Sequence, residues 1–208
     1  MPKKKRQPQK KRSNPQSSLL HRDSIDRFFD NDFHLETRTI FISDQEDGDG
    51  VDTAMAEKVI KSLHLLSNHS HAPIRMILNS KGGNWYDGMA CYDAIRACPC
   101  PVIIEVIGSC MSMATIILQA GDERLVYPNA TFMVHDGSDS FLGEAKSFES
   151  WGEESKRLRN RMYEIYAKAT KKPAIFWKKK CAVDFILTAE QAVELGLADR
   201  ILNENQKK

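Results

Sequence analysis

The chain has 208 residues, 41% of them hydrophobic, and its formal net charge is +2. This length predicts a single domain with a full hydrophobic core. No segment approaches the roughly 18 apolar residues that a membrane span requires, so we do not expect a transmembrane protein.

The N-terminal tail is the first distinct segment. Residues 1–12 hold seven Lys or Arg and no acidic residue, whereas the rest of the chain carries a net charge of −5. We predict that residues 1–22 form a disordered tail, residues 23–202 a folded domain and residues 203–208 a short polar tail. No apolar stretch follows the basic run, so it is not a secretory signal. Such a run is typical of contact with nucleic acid or an acidic partner, and equally of a solvated or removable tail.

Strands and helices alternate through the predicted domain. Apolar periodicity and turn residues predict, in chain order, a helix at 23–33, a strand at 39–43, a helix carrying Met55, Val59, Leu63 and Leu66, a strand at 74–78, a helix at 86–97, a strand at 102–107, a helix at 112–120, and short strands near 124–127 and 131–134. This alternation predicts an α/β fold with a mainly parallel core of stacked turns.

A long helix follows a polar loop at 136–143. Its apolar positions are spaced by three and four over about six turns, and they are Phe148, Trp151, Ser155, Leu158, Met162, Ile165 and Ala169. One interpretation is a helix that lies on its own core. The other is a helix that faces a partner, because a seam of this length often meets another helix.

The cysteines indicate a reducing compartment. The five residues are irregularly spaced and give neither a disulfide framework nor a zinc site, and they are Cys91, Cys98, Cys100, Cys110 and Cys181. We therefore expect a cytoplasmic protein.

Two turns offer backbone donors. Ser112 lies where an apolar strand ending at Gly108 passes into an apolar helix, and backbone N–H groups are free at a helix N-terminus. A serine there suits a nucleophile whose oxyanion is held by those donors, and equally a plain N-cap. Gly82 and Gly83, in the segment 79–84 that follows the strand at 74–78, allow close approach to a ligand, although such a pair more often marks an ordinary strand-to-helix turn.

A histidine and an aspartate complete the candidate set. His135 ends the short apolar strand at 131–134, where a general base could sit, although a structural or solvated role is equally compatible. Asp184 precedes a capping pattern in which Thr188 faces Gln191. A carboxylate at that point could orient an imidazole or simply face solvent.

Together these segments resemble the ClpP family, the proteolytic subunits of Clp proteases, over about residues 27–202. The ordered motifs are Lys81-Gly82-Gly83, then Gly108-Ser-Cys-Met-Ser112-Met113, then Pro128-Asn-Ala-Thr-Phe-Met133-Val-His135, then Asp184-Phe-Ile-Leu-Thr-Ala189-Glu-Gln-Ala192-Val-Glu-Leu-Gly196-Leu-Ala-Asp199. Any one of these motifs is weak alone, and their shared order and spacing carry the resemblance.

The resemblance implies a role for each candidate. Ser112 matches the nucleophile, His135 the general base and acid, and Asp184 the carboxylate that orients the histidine. The backbone N–H groups of Gly83 and Met113 match the oxyanion hole. No metal or organic cofactor is implied.

The resemblance also implies an architecture and partners. The expected fold is a crotonase-like spiral of β-β-α units with a protruding strand-helix handle, in which the long helix packs two rings together. The implied assembly is a homo-oligomer of two stacked heptameric rings that cleaves unfolded polypeptides. The chain has no Gly-x-x-x-x-Gly-Lys-Ser/Thr loop, so ATP-driven unfolding would come from a separate unfoldase.

Several positions depart from the family pattern. Lys81 stands where the family has proline, Asp136-Gly137 replaces Gln-Pro after the histidine, and Val183 replaces an arginine before Asp184. The positions matched to the aromatic docking pockets are Arg75, Ile77 and Ala97. These differences predict a divergent member with its own partner.

Three other functions remain open from the residues alone. They are a catalytically idle ring subunit, a factor tethered to nucleic acid by the basic tail, and a crotonase-type acyl-CoA enzyme. The acyl-CoA enzyme would use the same two N–H donors, but it would usually need a Glu or Asp where Ser112 lies.

Overall fold

The computed structural model describes residues 33–44, 50–138, 144 and 146–202. The strands are β1 (Phe33–His34), β2 (Thr39–Ser43), β3 (Ile74–Ser80), β4 (Val102–Met111), β5 (Glu123–Val126), β6 (Thr131–Val134), β7 (Phe185–Thr188) and β8 (Arg200–Ile201). The helices are α1 (Thr53–His69), α2 (Trp85–Ala97), α3 (Met113–Leu118), α4 (Ser147–Thr170), α5 (Ala174–Lys180) and α6 (Ala189–Leu195). Residues 23–32 of the helix predicted at 23–33 and both tails lie outside the described residues, and Phe33, the last residue of that prediction, belongs to β1 instead.

The described strands form one mainly parallel sheet, as the alternation of elements predicts. Its main path runs β1-β2-β3-β4-β5-β8, and every neighbouring pair on it is parallel except β1 with β2. The inward residues of β3 alternate with exposed ones, so one face of the strand packs on the core.

A side branch of the sheet, here called the arm, consists of the second half of β4 together with β6 and β7. The first half of β4 pairs with β5, and Ser109–Met111 then pair in parallel with β6. Strand β7 pairs antiparallel with β6, so that Val134 lies opposite Phe185. The ends of β4 and β6 and the start of β7 therefore meet at one edge of the arm.

Helix α1 covers the sheet with the face that its spacing predicts. Met55, Val59, Leu63 and Leu66 are all buried, and the Asp52 side chain accepts a hydrogen bond from the Met55 N–H at the start of the helix. These four side chains belong to one continuous hydrophobic core, which reaches Tyr166 on α4 and Trp177 on α5. Their rings lie 4.9 Å apart.

The long helix α4 is divided between core and surface. Its C-terminal half buries Met162, Tyr163, Ile165 and Tyr166, whereas Phe148 and Trp151 in its N-terminal half are about half exposed. Residues 135–138 form no strand, and residues 139–143, where the strand of the handle would run, lie outside the described part.

Several details differ from the sequence prediction, and the four-residue strand β7 is one element that was not predicted. Strand β4 does not stop at Ile107: it continues to Met111, because Gly108 takes a positive φ of 63° and the strand then pairs with β6. Helix α5 was not predicted, since its seven residues are too few to show a period. The two-residue strands β1 and β8 give no sequence signal for the same reason.

No described helix combines the length and apolar character that crossing a membrane demands.

Candidate active site

Ser112 forms the turn between β4 and α3. Its φ of 50° and ψ of −123° are unusual for a residue with a side chain and cost on the order of 1–3 kcal/mol. The turn is held by the Ser112 N–H, which donates to the Met133 carbonyl at 2.8 Å, and by Gly82, which packs directly against it. Ser112 occupies the N-cap position of α3, but its side chain makes no capping hydrogen bond and is therefore available for other contacts.

His135 lies beside Ser112 because β4 and β6 end together. His135 Nε2 is 2.8 Å from Ser112 Oγ, a normal hydrogen-bond distance. The histidine is one residue beyond the last pair of β6, and about a quarter of its side chain is exposed. The imidazole can therefore reach both the serine and solvent.

Asp184 lies on the other side of the imidazole. Its Oδ1 is 3.1 Å from His135 Nδ1, and it directly precedes β7, which runs antiparallel to β6. With the proton on Nδ1, the imidazole donates to Asp184 and accepts from Ser112. The Asp184 side chain is 68% exposed, so the aspartate end of this row of three side chains lies at the protein surface.

Gly83 and Met113, whose backbone amides are the candidate oxyanion donors, both line the same cleft. Gly83 is the residue after Gly82, which packs closely against the serine turn. Val51 holds the loop of these two glycines: its carbonyl accepts from the Asn84 N–H, and its N–H donates to the Gly82 carbonyl. Met113 is the first residue of α3, where helix geometry leaves the N–H without a partner. In the described part of the chain, neither amide donates a hydrogen bond to protein.

The cleft above Ser112 has a volume of about 560 Å³. One wall is a face of α4 that carries the exposed Trp151, the half-buried Ser155 and Leu158, and the buried Met162. The opposite wall is the start of α2, where the Tyr86 hydroxyl donates to Glu154 Oε1 of α4 at 3.2 Å. The long helix thus both packs on the core and forms part of the site.

Asp136 and Tyr163 form a contact beside the site that the motifs do not reveal. The Tyr163 hydroxyl donates to Asp136 Oδ1 at 2.6 Å. The sequence identifies Asp136 as a departure from the family pattern, but it does not identify its partner 27 residues away. Tyr163 lies next to Met162 of the apolar seam, and this position is its only sequence signal.

Cys110 offers no second nucleophile, although it lies two residues before Ser112. It is fully buried in the core, and burial raises the pKa of its thiol. A thiol is reactive as the thiolate, so this group is inert in the folded protein. All five cysteines are free.

Comparison with known proteins places the chain in a family. The model of the Clp protease family matches residues 26–205. The chain is 32% identical over 176 residues to an ATP-dependent Clp protease proteolytic subunit from Deinococcus radiodurans, covering 83% of this chain and 84% of that protein. It is 34% identical over 173 residues to ATP-dependent Clp protease proteolytic subunit 2 of Pseudomonas aeruginosa, covering 82% and 84% respectively.

A solved structure of a similar protein also matches the fold of this chain. A point mutant of ClpP1 from Listeria monocytogenes superposes with a TM-score of 0.73 at 27% identity, covering 82% of this chain and 95% of that one. The site geometry and these matches lead to one conclusion: the chain belongs to the Clp protease family. The α/β fold expected from the resemblance is thereby confirmed.

Proposed function

We propose that this protein is a serine endopeptidase, the proteolytic subunit of a Clp-type protease that hydrolyses peptide bonds in unfolded polypeptides. The observation that carries the proposal is the 2.8 Å separation of His135 Nε2 from Ser112 Oγ at the floor of an open cleft. A serine hydroxyl is a weak nucleophile until a base in contact removes its proton. The names of the relatives favour a protease over the idle subunit and the acyl-CoA enzyme.

The proposed reaction follows from the positions of the groups. Ser112 Oγ attacks the peptide carbonyl carbon while His135 Nε2 takes its proton, and His135 returns that proton to the leaving amine. The N–H groups of Gly83 and Met113 hold the oxyanion, for which loss of one donor costs about 3–4 kcal/mol. Water then enters and attacks the acyl-enzyme, again with His135 as base. Asp184 holds the imidazole in the tautomer that accepts from serine.

The relatives' names connect their proteolysis to ATP. This chain lacks the Gly-x-x-x-x-Gly-Lys-Ser/Thr loop. We therefore assign unfolding to a separate ATP-dependent protein, which would feed an extended polypeptide into the cleft. The departures at Arg75, Ile77 and Ala97 favour a partner with a docking surface of its own.

The proposed assembly is a cytoplasmic homo-oligomer of two stacked heptameric rings. Supporting this, the N-terminal half of α4 projects apolar side chains that its own core does not bury, including Phe148 at 53% exposure. Contact of the basic tail, residues 1–22, with nucleic acid or an acidic partner stays a prediction, because those residues lie outside the described part.

The decisive test is labelling with a fluorophosphonate serine probe, read by intact-protein mass. We expect a single adduct on the native protein and none on Ser112→Ala, because only an activated serine reacts. Cleavage of a fluorogenic peptide should fall by about 10³-fold or more in the same variant, as expected for loss of a nucleophile.

Two results would contradict the proposal. An unlabelled native protein in an assembled preparation would indicate an idle ring subunit. A native protein that binds acyl-CoA and leaves peptides intact would indicate the crotonase-type alternative. Cys110→Ala serves as a control variant, because it changes a buried residue two positions away without touching the hydroxyl.

A further inference from the structure

The chain on either side of His135 is held by different means. On its N-terminal side, β6 is fixed by pairing with both β4 and β7. On its C-terminal side, Gly137 takes a positive φ of 76°, and a Cβ placed on this glycine would contact no other residue. Asp136 is therefore the residue that secures the backbone as it leaves the histidine.

Asp136 makes two hydrogen bonds to separate parts of the fold. Its N–H donates to the Cys181 carbonyl at 2.8 Å, and Cys181 lies three residues before Asp184. Its side chain accepts from the Tyr163 hydroxyl at 2.6 Å. The residue next to His135 is thus tied both to the segment that carries Asp184 and to helix α4.

Tyr163 is well suited to fix this position. The residue is only 5% exposed and lies in the buried half of α4, so its ring cannot move without disturbing the core. Burial first, and then the hydrogen bond to Asp136, raises the pKa of the hydroxyl above its usual value, so it stays a donor. A hydrogen bond to a carboxylate is stronger than one between neutral groups.

We propose that Tyr163 is a positioning residue, which through Asp136 holds His135 within reach of Ser112 and Asp184 and thereby couples the alignment of the site to helix α4. The same helix forms a wall of the cleft through Trp151, Ser155 and Leu158. A displacement of α4 by substrate or by a second copy therefore reaches the imidazole through one hydrogen bond. This inference rests on the proposed peptidase function.

The test compares substitutions that break the bond from each side, in the full-length protein. Tyr163→Phe keeps the ring and removes the hydroxyl, and Asp136→Ala removes the acceptor. We expect each to lower kcat on a fluorogenic peptide about tenfold with KM changed less than about twofold, since a misplaced base slows chemistry more than binding. The double variant should be no slower than either single one, because both remove the same interaction.

A conservative substitution and a control separate positioning from general stability. Asp136→Asn keeps an oxygen that accepts from Tyr163, so kcat should recover to within about threefold of native. Thr170→Val removes the buried hydrogen bond from Trp177 Nε1 to Thr170 Oγ1 at the end of the same helix. It should lower Tm as Tyr163→Phe does and leave kcat unchanged.

The outcomes distinguish this inference from the proposed function. Native protein without Ser112-dependent labelling would overturn the peptidase proposal itself. An active native protein with an equally active Tyr163→Phe would overturn only the positioning role, as would additive losses in the double variant. A crystal structure of Tyr163→Phe should show the Ser112 Oγ to His135 Nε2 distance lengthened beyond 3.5 Å, the usual limit of a hydrogen bond.

Discussion

Ser112 adopts a backbone conformation that a side chain disfavours, and its neighbours hold it there. A Cβ added to Gly82 would lie 2.7 Å from both the Met111 carbonyl oxygen and Ser112 Cβ. Gly82 also has a φ of 99°, which L side chains rarely adopt. The glycine thus permits the loop that carries Gly83 to pack against the serine turn, and close packing as well as hydrogen bonding holds Ser112 in its strained conformation.

Substitution of Gly82 should therefore disable the site. We expect Gly82→Ala to lower kcat about 10²-fold, because the new methyl must displace the serine turn or the loop. Peptide hydrolysis and the rate of fluorophosphonate labelling would measure this. Gly152→Ala is the matched control: it lies on α4 with no heavy atom near the added methyl, and it should keep full activity. A fully active Gly82→Ala would contradict the packing argument.

At the scale of elements, the sequence predicts most of the fold that surrounds the site. The apolar positions of α1 and the capping box of Thr188 with Gln191 are confirmed, because both are local patterns. The sequence misses α5 because its seven residues are too few to show a helical period. For the site, the motifs predict Ser112, His135 and Asp184 as candidates, and in the structure the histidine lies within hydrogen-bond distance of both of the others. The contact of Tyr163 could not be predicted, because its partner Asp136 is 27 residues away in the sequence.

The connection from α6 to β8 contains an ion pair between Arg124 and Asp199. Arg124 Nη2 is 2.5 Å from Asp199 Oδ1, and the Arg124 N–H also donates to the same carboxylate. Burial alone would raise the pKa of Asp199, but the hydrogen bonds and charge of Arg124 outweigh it and lower the pKa below its usual value. The folded pKa is thus below the unfolded one, so this stabilisation is present above the unfolded pKa of about 3.9 and is lost as pH falls through the folded pKa.

We therefore predict a pH-dependent difference between native protein and Asp199→Asn. The variant should have a lower Tm near pH 7, and the gap should close as the pH is lowered through the folded pKa of Asp199. Thermal unfolding across this range would measure it. Glu57→Gln, which breaks the exposed Lys61–Glu57 pair on α1, should change Tm little at any pH. A gap that stays constant with pH would show that Asp199 acts through shape rather than charge.

At the scale of the whole molecule, α4 serves two purposes in separate halves. Its C-terminal half packs in the core. Its N-terminal half exposes Phe148 and Trp151, and Trp151 also lines the cleft. An exposed apolar face of this kind is typical of a surface that another chain covers. The proposed stacking of rings would use it.

Charge at this face should separate the rings. We expect Phe148→Glu to halve the mass of the assembly in sedimentation velocity, because a carboxylate would be buried without a partner. Leu65→Glu, at an exposed apolar position of similar exposure on α1, should leave the mass unchanged. A monomeric native protein, or an unaltered mass for Phe148→Glu, would contradict the stacking proposal.

The arm also determines what fails first when the chain loosens. In the described sheet, β6 and β7 are joined to the main path only through the second half of β4. A segment that is joined to the main sheet at a single strand can open locally, without global unfolding. His135 and Asp184 would then leave Ser112 while the rest of the sheet stays folded. Opening of the arm would also expose Phe132 and Val134, which are fully buried in β6, so loss of peptide cleavage and exposure of this part of the core would occur together.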